Sequence, residues 1–245
     1  MIRPKDQYDA ALACRWDEFI DWQARAQAEQ SFFQNRLKEA GAQSVLDAAC
    51  GTGFHTVALA KAGFSVVASD LSPAMVRQTT RACRAHRVDV EVRQADWRHL
   101  SDAMHKRFDS VVVLGNSFTH LLAYRDRLLA LQQFRKTLRP GGLLVIDSRN
   151  YDKMLETARP FTGDFYYCGR TVTCTPIIVT PDRIRFRYDF QDGFQRELDA
   201  YPTRQAELSS LLTDTGFEDV AVFGDFRRPF ERLDPDYVIY CAHRA

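Results

Sequence analysis

Three short segments place polar residues at the ends of apolar runs, and their types suit the recognition of a nucleoside. Asp47-Ala48-Ala49-Cys50-Gly51-Thr52-Gly53 sits where the run SVLDAA (44–49) gives way to a helical stretch. Glycines in such a turn let the backbone approach a ligand closely. Asp70 closes a second run, FSVVAS (64–69), and a carboxylate there can accept both hydroxyls of a ribose. Ala95-Asp96-Trp97 follows a third, strand-like segment and sets an acceptor beside an aromatic platform. Thr56 stands where a dinucleotide fingerprint needs its third glycine. Phe54-His55 stands where a phosphate loop needs Gly-Lys, so the turn lacks features suited to pyrophosphate.

Two longer segments are more specific. Leu114-Gly115-Asn116-Ser117-Phe118-Thr119-His120-Leu121 ends a fourth run, and Ile146-Asp147-Ser148-Arg149-Asn150-Tyr151-Asp152 ends a fifth. A guanidinium at a strand end can hold a carboxylate through two parallel N–H bonds. The glycine turn followed by an acidic strand end resembles the cofactor motifs of the class I S-adenosylmethionine-dependent methyltransferases. The two longer segments are similar to the glycine/sarcosine N-methyltransferase family, as are Ala49 in place of the turn's first glycine, Asp6-Gln7-Tyr8 and Phe223-Gly224-Asp225-Phe226.

The resemblance implies S-adenosyl-L-methionine as cofactor and a small substrate bearing an amine and a carboxylate, of the glycine, sarcosine or dimethylglycine type. Methyl transfer would be direct and in line, the protein contributing mainly alignment. The resemblance gives Asp96 the adenine amino group, Trp97 the face of the ring, and Arg25 the donor's carboxylate. Trp16, Ala49, Gly51 and Gly53 belong to the same expected donor site, with Asp70, Leu71, Met75 and Leu114. On the substrate side it implies Arg149 as clamp, Asn116 orienting the substrate and His120 close behind. Tyr8, Tyr167, Tyr201 and Tyr237 would surround the amine, with Tyr188 as a further candidate. The residues alone allow plainer roles: His120 as a hydrogen-bonded histidine near a helix start, Tyr188 as packing beside Ile184 and Phe186, His55 as solvent-facing or locally capping. No general base is assigned.

The elements that must carry these residues follow from periodicity. Residues 8–40 read as helix, with Trp16, Phe19 and Ile20, then Phe33 and Leu37, at helical spacing. Strand, glycine turn, helix over about 54–62 and strand make a βαβ unit, and Pro73 opens the next helix. A strand over 89–95, a buried strand over 108–115, a helix marked by Leu128, Leu131, Phe134 and Leu138, a break at Arg139–Gly142 and a strand over 143–147 continue the alternation. This predicts a doubly wound, mostly parallel seven-stranded α/β sheet. Ile184, Phe186, Tyr188 and Phe190 alternate with charged residues, so 160–202 reads as a small antiparallel insertion. A helix ending at Gly216 and strands over 219–224 and 236–243 close the chain. We expect one domain over 1–245, with 1–40 and 160–202 covering the site.

Composition narrows the classes. In 245 residues, Lys plus Arg number 33 and Asp plus Glu 32, which lacks the basic surplus of a nucleic-acid binder. No apolar run approaches the length of a membrane span, and the N-terminus lacks a secretory signal, so a cytoplasmic protein is expected. The six cysteines are widely spaced, without a disulfide framework, and read as small buried hydrophobes. No histidine has metal-ligand spacing. The competing readings are a methyltransferase of the same fold with another small substrate, a non-catalytic S-adenosylmethionine-binding regulator, a nicotinamide-dependent oxidoreductase and a nucleic-acid methyltransferase. Oligomeric state is left open.

Overall fold

A computed structural model describes residues 7–157 and 168–245. Its main sheet has seven strands: β1 Ser44–Asp47, β2 Ser65–Asp70, β3 Glu91–Gln94, β4 Phe108–Val113, β5 Leu138–Arg149, β9 Phe217–Gly224 and β10 Tyr237–Arg244. Their order is β3-β2-β1-β4-β5-β10-β9. Strands β1 to β5 run parallel, and β10 is antiparallel to both β5 and β9. The direction of winding reverses between β1 and β4, and in open α/β sheets that reversal opens a crevice at the strands' carboxyl ends.

The central strands read as unbroken apolar runs because both faces are buried. Val111 and Val113 of β4 join Leu144 and Ile146 of β5 in one core, under Leu131 and Phe134 of the helix Tyr124–Thr137. Val112, Leu143 and Val145 point the other way, onto Phe33, Leu37 and Leu59. A second sheet, β6 Val172–Thr180, β7 Arg183–Phe190 and β8 Gln195–Ala200, is antiparallel in the order β6-β7-β8. Along β7 the apolar residues are buried with Leu12 and Phe19, while Arg185 and Arg187 face outward.

Three local features differ from the expectation. The described residues up to Glu39 include four short helices, Ala10–Ala13, Trp16–Phe19, Trp22–Glu29 and Phe32–Glu39, in place of one. Asp9 and Asp21 take up the N–H groups of Leu12 and Ala24, each starting a new helix, and Gln30 and Ser31 adopt positive φ between the last two. The breaks let the segment bend around the site. Strand β5 also runs through Arg139–Gly142: pairing shifts from Phe108↔Leu138 to Ser110↔Leu143, so the Pro-Gly-Gly sequence forms a bulge. Finally, Cys14 is exposed and Cys168 half-buried, while the other four cysteines are buried. No helix among the described residues is long and apolar enough to cross a membrane.

Candidate active site

The crevice beyond β1 and β2 is shaped by hydrogen bonds that its own sequence dictates. Gly51, at φ +55°, turns its N–H onto Asp70 Oδ2 at 3.0 Å, and Ser72 N–H reaches Asp70 Oδ1 at 2.9 Å. Burial pushes the Asp70 carboxyl up to about 6 against the pull of these two N–H groups, so it is ionised at neutral pH and keeps lone pairs for further donors. Trp97 is anchored by its indole N–H to the Ala48 carbonyl at 2.6 Å, with its ring on the cavity wall. Asp96 accepts from Arg98, which holds its carboxyl below the usual range, and it also lines the cavity. Ala49, Leu71, Met75, Leu114 and Trp16 are on the same wall.

Gly53 is not on that wall. At φ +103° it starts the helix Phe54–Lys61, and a Cβ there would lie 3.2 Å from both Thr79 Cα and Ala82 Cβ, so its position serves close packing between helices.

Arg25, buried at the far side, donates to Glu29 Oε1 at 2.8 Å and lies over the Phe54 ring at 5.1 Å. His55 shares that carboxylate, its Nε2 lying 3.1 Å from Glu29 Oε1. Burial would raise the Glu29 carboxyl, but His55 and Arg25 outweigh it and hold it at about 2. The expectation that His55 faces solvent or caps locally is therefore corrected: it is buried, with its ring on the Glu29 carboxylate and edge-on to Phe33. The Arg25–Glu29 spacing of four on a helix was a readable signal; the histidine was not.

At the ends of β4 and β5, Asn116 adopts φ +61° and donates its backbone N–H to Asp147 Oδ1 at 2.7 Å. Its Oδ1 accepts the Arg149 N–H at 3.0 Å and its Nδ2 donates to the Tyr151 hydroxyl at 3.0 Å, which locks the two strand ends together. Arg149 is 3% exposed, with its guanidinium 4.2 Å from the Phe186 ring centroid and its Nε donating to the Tyr237 hydroxyl at 3.4 Å. Asn116, His120 and Arg149 line the same cavity as Gly51, Asp70 and Trp97.

His120 bonds the Asp199 carbonyl through Nδ1 at 3.0 Å and Tyr8 Oη through Nε2 at 2.9 Å. A carbonyl only accepts, so Nδ1 carries the proton and Nε2 accepts from Tyr8. Burial depresses the imidazole to about 4, with the Arg149 charge acting the same way, so the ring is neutral at neutral pH.

The expected tyrosines separate. Tyr8 is on the cavity wall. Tyr237 is fully buried behind Arg149, not on the wall, because β10 pairs with β5 at that position. Tyr201 also lies off the wall, with the Arg127 guanidinium 3.6 Å from its ring centroid. Tyr167 lies outside the described residues. Tyr188, for which both packing and a place near the amine were open, packs edge-on against Phe19 at 5.0 Å and lines the cavity too. Phe186, Leu198 and Ala200 of the small sheet, and Thr52 and Ser72 in the turns after β1 and β2, were not foreseen there. The β7 alternation signalled that Phe186 and Tyr188 share a face, but not what that face meets.

These residues fit a nucleoside methyl donor. Gly51 has no atoms within 4 Å of where a Cβ would be, which leaves room for a ligand against the turn. The ionised Asp70 suits a diol, Trp97 a flat ring and Arg25 a carboxylate.

Comparison with known proteins agrees. Residues 45–142 match a family described as a methyltransferase domain. The chain is 42% identical over 98% of its length to a glycine/sarcosine N-methyltransferase of Parasynechococcus marenigrum, covering 85% of that protein. It is 32% identical to the human glycine N-methyltransferase over 98% of this chain and 93% of that one. Among solved structures, the CcbJ methyltransferase of Streptomyces caelestis superposes with a TM-score of 0.74 at 21% identity, covering 98% of each chain, which speaks to the fold alone.

Proposed function

This chain belongs to the glycine/sarcosine N-methyltransferase family, and from that premise we propose how its pocket performs S-adenosylmethionine-dependent N-methylation of a small amino-acid-like amine. S-Adenosylmethionine, when bound, supplies the methyl group as an electrophile on a sulfonium. Asp70 accepts the ribose hydroxyls, Trp97 supports the adenine beside Asp96, and Arg25 faces the donor's carboxylate. Arg149, buried on Phe186 and braced by Tyr237, clamps the substrate carboxylate; Asn116 holds it in place from the neighbouring strand end. Tyr8 Oη, its proton committed to His120, turns lone pairs toward the amine. Of the expected cover, 1–40 and 160–202, the described parts 7–40 and 168–202 keep water out; 1–6 and 160–167 lie outside the described residues. Alignment of this kind lowers the barrier without a covalent intermediate.

One observation carries the reading: a single cavity joins Gly51, Asp70 and Trp97 to Asn116, His120 and Arg149. The test is methyl transfer to glycine, sarcosine and dimethylglycine, run beside Arg149→Ala. We expect the wild type to use at least one of them, and the variant to lose amine affinity while binding S-adenosylhomocysteine normally. Equal KM values for the two enzymes would remove the clamp.

A further inference from the structure

Among the described residues strand β8 ends the small sheet, so one of its edges has no neighbouring strand there. Edge strands leave backbone donors and acceptors that must find other partners when buried. At Asp199, side chains from two distant segments supply them. The Asp199 N–H donates to Gln7 Oε1 at 2.6 Å, and its carbonyl accepts from His120 Nδ1 at 3.0 Å. Two residues on, the Tyr201 N–H donates to the Thr119 carbonyl at 2.7 Å. The Asp199 side chain is held from the other direction by Arg185, through bonds of 2.7 and 2.8 Å.

These bonds close a ring. Gln7 binds Asp199, Asp199 binds His120, His120 binds Tyr8 through its other nitrogen, and Tyr8 is Gln7's neighbour in the chain. The ring joins the N-terminal segment, the turn after β4 and the small sheet at the amine end of the cavity. Gln7 is 4% exposed and does not line the cavity, so it acts only through the others.

We propose that Gln7 is a positioning residue for the amine. By pinning the edge of β8 at Asp199, it holds the carbonyl that keeps the proton on His120 Nδ1. His120 Nε2 then takes the Tyr8 hydroxyl proton, and Tyr8 presents only acceptor lone pairs to the substrate. Without the Gln7 oxygen, the Asp199 N–H is buried without its acceptor, and the carbonyl on the same residue loses its fixed direction. The Tyr8 O–H can then turn toward the amine, where it repels the N–H bonds. This inference rests on the amine site proposed above.

The test uses the full chain with the amine that the wild type methylates best. Gln7→Leu should raise KM for that amine about tenfold, equivalent to about 1.4 kcal/mol, while S-adenosylhomocysteine affinity stays within about twofold. Gln7→Glu retains an acceptor oxygen and should recover most of the loss. His120→Phe removes the next link, so Gln7→Leu combined with His120→Phe should be no worse than His120→Phe alone. A wild type inactive on all three amines would refute the amine site itself. An active wild type with Gln7→Leu changing only thermal stability, or with additive losses in the double variant, would overturn the role of Gln7 and leave the site standing.

Discussion

Asp70→Asn tests the donor half of the pocket most directly. The carboxylate accepts one N–H from Gly51 and one from Ser72, at 3.0 and 2.9 Å, one on each oxygen. An amide of the same shape has a single acceptor oxygen, so it satisfies one of these donors and turns its own NH2 toward the other. It also offers the ribose no charge. A hydrogen bond to a charged acceptor contributes about 1.5–3 kcal/mol and one to a neutral acceptor about 0.5–1.5. Two weakened ribose contacts therefore cost about 2 kcal/mol of donor affinity, or about 30-fold in Kd. Stability should change little. Burial already raises the folded carboxyl to about 6, so the ionised form is disfavoured by the fold, and the amide relieves that cost while leaving one N–H misplaced. The raised value also sets a pH signature. Protonation turns one Asp70 oxygen into a donor, so wild-type affinity should fall as pH drops through about 6, whereas Asp70→Asn should respond little there. Calorimetric titration with S-adenosylhomocysteine from pH 5 to 8 reads both effects. Wild-type affinity in the variant, or a wild type whose binding is flat across that range, would show that Asp70 does not hold the ribose.

Other tests address the folded state. His120 is depressed from 6.5 to about 4, below its unfolded value, so its contribution to stability is complete above 6.5 and is lost as pH falls toward 4. Urea unfolding at pH 7.5 and 4.5 should show His120→Phe losing about 2–3 kcal/mol less than the wild type over that interval; equal pH dependence would refute the neutral assignment. Gly53→Ala should destabilise by about 1–3 kcal/mol, because φ is +103° and the new Cβ presses on Thr79 and Ala82. An unchanged calorimetric melting temperature would contradict that packing.

The sequence by itself placed the chemistry-bearing residues on a common rim. Apolar runs of strand length are a local property, and each ended at a residue able to bind something: Asp70, Asp96, Asn116, Arg149. Once helical stretches alternate with those runs the sheet is parallel, and parallel strands bring their carboxyl ends to one side. No distant contact needs to be known for this, and the fold obeys it. The tertiary structure decided which side chains meet across long separations. Tyr8 and His120 are 112 positions apart, and Gln7 and Asp199 are 192 apart. Periodicity shows which face of an element is apolar but not what that face meets, so it could not separate Tyr8, on the wall, from Tyr237, behind Arg149. Nor could it bury His55 against Glu29, because that pairing depends on how two helices pack. The breaks at Asp9, Asp21 and Gln30-Ser31 bend the N-terminal segment into place, and only that bend brings Gln7 to the edge of β8.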